Sequence, residues 1–131
     1  MTVFESKVSI HKPANEIYNF LADMNNHKHL MPENIINWSS SVDEARFNIQ
    51  NMSSLALKIG TREENSRIVI IPLERPPFDL QLKWELFPNN SATEVAFTVS
   101  ANLNMMMKMV ASGPLQKLAD HETKSLAEVF K

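Results

Sequence analysis

The chain predicts an α+β fold: a curved antiparallel sheet of about seven strands, a long C-terminal helix in its concavity, and two short helices after the first strand. Three observations predict it. Between Asn34 and Leu103 apolar and polar residues alternate with period two almost throughout, as strands wetted on one face do. The breaks between these runs, Ser39–Asp43, Asn51–Ser54, Glu63–Ser66, Glu74–Pro77 and Pro88–Ala92, are short and turn-like, so neighbouring strands should pair as antiparallel hairpins. From Asn104 to Lys131 the spacing becomes helical, with Met106, Val110, Leu115, Leu118, Leu126 and Val129 on one stripe in steps of three and four, one step longer. A helix of about 26 residues would run ~39 Å, the width of a small domain.

Each element follows in order. Phe4, Ser6, Val8 and Ile10 share one face of a first strand over Val3–Ile10, with Glu5, Lys7 and Ser9 on the other. Pro13 sits just ahead of a helix carrying Ile17, Phe20, Leu21 and Met24, and the polar run Asn25–His29 ends it. A second short helix is expected over His27–Met31, before Pro32. Then come Ile36, Trp38 and Ser40 on one face, Ala45, Phe47 and Ile49 on the next strand, and Leu55, Leu57 and Ile59 after that. Arg67–Leu73 is a solid apolar run whose inward parity stays open. Phe78, Leu80, Leu82, Trp84 and Leu86 alternate cleanly, as do Val95, Phe97, Val99, Ala101 and Leu103. Gly113-Pro114 should kink the last helix or restart it with Ser112 as cap, because proline lacks an amide donor and crowds the preceding turn.

Composition bounds the function. At 131 residues the chain is one domain, residues 1–131, large enough for a real core. Thirteen basic against fifteen acidic residues give a net charge of −2 with no basic stripe, which argues against a nucleic-acid partner. The absence of cysteine removes disulfides, thiolate metal sites and cysteine nucleophiles. With only two glycines, Gly60 and Gly113, no glycine-rich phosphate loop exists, so nucleotide-hydrolysing and dinucleotide-binding designs are out. No signal peptide or membrane span can be drawn, so a cytoplasmic protein without stable membrane insertion is expected.

This element order resembles the helix-grip fold of the START/Bet v 1-like superfamily over the whole chain. Pro13-Ala14-Asn15-Glu16-Ile17-Tyr18-Asn19-Phe20-Leu21 looks like that superfamily's strand-to-helix entry, and Asn26 through Met31-Pro32 like its second helix. The Asn102-Leu103-Asn104 exit into a methionine-rich helix resembles small uncharacterised bacterial members. One departure is the turn Ser39-Ser40-Ser41-Val42-Asp43, where the plant allergens of the superfamily carry a glycine-rich loop. The resemblance implies a cavity between sheet and helix for lipids, sterols, polyketides or other apolar molecules. Some members are cyclases or aromatases, and a related group assists a chaperone.

The alternation names the expected pocket. Ser6, Trp38, Phe47, Leu57, Leu82, Trp84, Phe97 and Val99 should face inward from the sheet, with Met106, Met109 and Val110 opposite them on the helix. An apolar, partly aromatic wall with an adaptable methionine rim suits a small hydrophobic ligand, although the same side chains could simply fill a core. Four of the eight methionines lie in Met105–Met109, and those on the outer face could instead seal a homodimer. His27 and His29 beside Asp23 and Glu33 supply at most two metal ligands from a polar segment and read as a solvated loop; His121 reads as lying on the wet face. No cofactor or metal is expected. The strand carboxylates and lysines fall on the outer face, which leaves Ser6, Ser40 and Tyr18 as inward polar groups and no activated nucleophile. A shape-driven cyclase remains open.

Overall fold

A computed structural model describes residues 1–50, 54–74 and 79–131. Strand β1 (Thr2–Ile10) is followed by helix α1 (Ala14–Leu21) and a 3-10 helix (Met24–Leu30). Six strands come next: β2 (Ile35–Ser40), β3 (Glu44–Ile49), β4 (Ser54–Glu63), β5 (Arg67–Pro72), β6 (Leu80–Asn89) and β7 (Ala92–Ala101). Helix α2 (Met105–Val129) closes the chain. The order across the seven-stranded sheet is β1-β7-β6-β5-β4-β3-β2, every neighbour antiparallel. Strands β2 to β7 thus follow one another as a meander, and β1 returns to pair with β7, opposing Ser6 to Phe97.

The alternation decides which face is buried. Phe4 and Ile10 of β1, Ala45 and Phe47 of β3, Leu57 and Ile59 of β4, and Leu80, Leu82, Trp84 and Leu86 of β6 all turn inward. In the apolar run of β5 it is Ile68 and Ile70 that are buried, which settles the parity the run itself left open. Phe78 and most of the turns expected at Asn51–Ser54 and Glu74–Pro77 lie outside the described residues.

Local chemistry bends the sheet. Asn37, Asn65 and Asn90 take left-handed backbone angles, φ 57, 59 and 60, which asparagine tolerates better than most side chains. Asn37 lies inside the register shift between β2 and β3. A second shift, between Ile59 and Thr61, brackets Gly60, where an added Cβ would stand 3.0 Å from Ile71 Cδ1. A side chain there would push against the neighbouring strand.

Two helical expectations change. The second short helix begins at Met24 rather than His27 and has 3-10 form, its first turn capped by Asp23, whose carboxylate accepts from Asn25 N at 2.9 Å. Helix α2 does not restart at Gly113-Pro114 but runs unbroken from Asn104, which accepts from Met107 N at 2.8 Å as N-cap. Pro114 still denies the carbonyl of Val110 its helical donor, and since Val110 is exposed, water can take that bond. Helix α2 packs on β1 and β7 and against the 3-10 helix. At its far end Phe130 meets Phe20 of α1 edge-on at 5.6 Å.

Candidate ligand cavity

Between the sheet and α2 lies a cavity of about 430 Å³, a volume that suits a small organic molecule. Its floor is the inner face of the sheet: Trp38, Phe47, Leu57, Ile70, Leu82 and Val99. Met24 and His27 of the 3-10 helix wall one side, and Ala111, Leu115, Leu118 and Glu122 of α2 form the roof. The exposed lining residues fall into two groups, Asn34 after the 3-10 helix and Pro114, Lys117 and His121 on α2. Between them lies the mouth.

Of the residues the alternation assigned to the pocket, Trp38, Phe47, Leu57, Leu82 and Val99 line this cavity. Trp38 stacks on Phe47 with ring centroids 5.3 Å apart and donates its Nε1–H to Ser40 Oγ at 3.0 Å. Trp84 and Phe97 are fully buried but sit behind the wall, stacked on each other at 4.1 Å. Among the described residues the Trp84 Nε1–H has no hydrogen-bond partner, and His27 packs edge-on against the indole at 6.4 Å. Met106, Met109 and Val110 are a correction. They are 77%, 84% and 68% exposed and take no part in the cavity. Ala111, one residue past Val110 and therefore about 100° further round the helix, faces inward instead.

Two polar groups that the sequence reading left outside are inside. Met24, His27 and Leu30 are all buried, because a 3-10 helix turns every three residues and stacks positions i, i+3 and i+6. His27 therefore belongs to the wall and not to a solvated loop. A carbonyl oxygen can only accept, so the 2.8 Å contact to Leu21 O makes Nε2 the protonated nitrogen and leaves Nδ1 as an acceptor with no partner among the described residues. Burial pushes the imidazole below its ordinary value of 6.5, against smaller opposing effects of that hydrogen bond and of Asp23, and so favours the neutral ring.

Glu122 is the second. It is 2% exposed and lines the cavity, and among the described residues its carboxyl has neither a hydrogen-bond partner nor an ion-pair partner. Loss of water with no compensating donor pushes its pKa up from 4.5 to about 8. The neutral carboxylic acid is then the main form at pH 7. The next residue, Thr123, shares a 2.7 Å hydrogen bond with the inward Ser6 of β1, so that pair satisfies itself away from Glu122. His121, expected on the wet face, is exposed but reaches the cavity mouth.

Both misses carried a signal. Leu115, Leu118 and Leu126 left one long step in the helical stripe, and Glu122 occupies the position that completes it. Met24, His27 and Leu30 are spaced by three. Among the described residues, no three His, Asp or Glu side chains gather as a metal-type cluster. None of the helices described is long and apolar enough to cross a membrane.

No known protein-family profile matches the chain, and no curated relative does. Solved structures match over nearly its whole length. The protein XoxI from Bacillus cereus superposes with a TM-score of 0.79 at 9% identity, covering 99% of this chain and 96% of that one. A START superfamily protein from Mycobacterium smegmatis gives 0.69 at 16% identity, covering 98% and 96%. The Aha1 dimer from Colwellia psychrerythraea gives 0.72 at 15% identity, covering 99% and 96%. At these identities the likeness establishes the fold, which is START/Bet v 1-like.

Proposed function

We propose that this protein binds a small, mostly apolar molecule between its sheet and α2, and so carries or sequesters it. The observation behind this reading is the 430 Å³ cavity, whose wall is built mostly from apolar and aromatic side chains and which reaches the exposed residues Asn34, Pro114, Lys117 and His121. A core meant only for stability would close on itself, since protein interiors pack as densely as organic crystals. Lipid-like, sterol-like and polyketide-like molecules all fit that description. Trp38, Phe47, Leu57 and Leu82 would contact the ligand directly, while Trp84 and Phe97 would stiffen the wall from behind. A native mass spectrum of the protein purified from its own host tests the reading. A copurifying mass that delipidation removes and an apolar extract restores is the expected result. A bare chain that takes up nothing from such an extract would contradict it.

One observation favours a second reading. Glu122 places an acid inside the cavity, and a cyclase or aromatase could use its proton while the walls hold a reactive chain folded. Turnover of a flexible polyketone chain, lost in Glu122→Gln, would separate that reading from simple carriage. A chaperone-partner role, with function on the surface and a filled interior, draws no support from a cavity of this size.

A further inference from the structure

Among the described residues, the polar side chains lining the cavity are Asn34, Lys117 and His121 at its exposed mouth and Glu122 and His27 in its buried wall, and the last two offer complementary hydrogen-bonding chemistry. A ligand made only of hydrocarbon would leave the Glu122 carboxyl buried without a partner, a cost of ~1–3 kcal/mol for a group that water would otherwise satisfy. Leucine at position 122 would fill the same stripe without that cost. We infer that Glu122 is a ligand-recognition residue: its protonated carboxyl donates a hydrogen bond to a carbonyl oxygen on an uncharged, otherwise apolar ligand.

This rests on the cavity being a ligand site and narrows the ligand's class. Sites built to hydrogen-bond a polar group discriminate strongly against analogues lacking it, because their own buried groups are then left unpaired. A cationic ligand fits less well. Among the described residues, the other ionisable groups lining the cavity are His27 from the 3-10 helix and Lys117 and His121 on α2, none of them acidic, and the sheet wall carries none. An ammonium would enter past Lys117 and find no second carboxylate. His27 adds a further preference, since Nδ1 can only accept once Nε2–H is committed to Leu21 O. A hydroxyl elsewhere on the ligand would satisfy it.

The test uses the naphthyl ketone prodan, whose emission moves to the red when its carbonyl accepts a hydrogen bond, and its ketone-free parent dimethylaminonaphthalene. Both are titrated against wild type, Glu122→Gln and Glu122→Leu, at pH values on either side of about 8. In wild type the ketone should bind about fivefold or more tighter than its parent at the lower pH, with red-shifted emission, a ratio matching one hydrogen bond of ~1 kcal/mol. Above that pH the carboxylate can no longer donate, and the advantage and the red shift should both fade. Glu122→Gln keeps an N–H donor that does not titrate, so its advantage should persist at both pH values. Glu122→Leu should lose the advantage while still binding the parent. An equal ketone advantage in Glu122→Leu, or none in any variant although both dyes bind, would overturn the carbonyl contact and leave the cavity reading standing. Failure of both dyes to bind wild type would overturn both.

Discussion

Glu122 and His27 pull stability in opposite directions with pH. Glu122 holds a proton in the native state up to about 8 but only to 4.5 when unfolded, so its burial costs progressively more as pH rises through that interval, then levels off. His27 is depressed below 6.5, so below that pH the unfolded chain takes a proton the native ring resists, and stability falls as pH falls. Between 6.5 and about 8 Glu122 dominates, and the fold should lose roughly 1–2 kcal/mol over that window. Urea midpoints measured across it should slope downward in wild type and lie flat in Glu122→Gln; an unchanged slope in the variant would place the titration elsewhere. The two tryptophans make a second pair of opposites. Trp38 lines the cavity and Trp84 stands behind it, so probe binding should change the emission of wild type but leave that of Trp38→Phe, which reports Trp84, unchanged. Trp84→Ala should cost ~3–5 kcal/mol by removing a large, fully buried ring from the Phe97 stack. The alternation foretold that Trp84 is inward. Whether an inward ring meets the cavity or backs it depends on how the sheet curves, which period two does not encode.

Helix α2 is unevenly anchored. Met105, Met106, Met109 and Val110 are exposed in its first half, while Ala119, Glu122, Thr123 and Leu126 are buried in its second. Pro114 removes the hydrogen bond that would couple the halves across Val110, and glycine at 113 lowers helix propensity. Amides of residues 105–112 should therefore exchange faster than those of 115–129, and more slowly when an apolar probe fills the cavity beneath Ala111 and Leu115. The paired change Gly113→Ala and Pro114→Ala should slow exchange in the first half and slow probe uptake, since a Cβ at 113 would meet nothing within 4 Å. Equal exchange in the two halves, with uptake at the wild-type rate, would remove the gate from this segment. The helix itself was legible from its spacing, but its rotation was not. Apolar residues sit on two adjoining faces of its first half, and only the sheet beneath decides that Ala111 rather than Val110 turns inward.

The element order, the antiparallel pairing and the helix laid across the sheet all follow from patterns that run the length of the chain: period two, period 3.6 and short polar breaks. The cavity is a different kind of property. It is the space left where Trp38, Phe47, Leu57 and Leu82 fail to meet Ala111, Leu115 and Leu118, and no single residue carries it. The measurement that bears on it most directly is a calorimetric titration with dimethylaminonaphthalene, run on wild type and on Leu118→Trp, whose larger ring occupies part of the same space. The binding reading predicts one saturable site per chain, a negative heat-capacity change from buried apolar surface, and at least about tenfold weaker binding in a Leu118→Trp protein that still melts cooperatively. Binding that does not saturate, or that is as tight in the folded Leu118→Trp variant as in wild type, would contradict it.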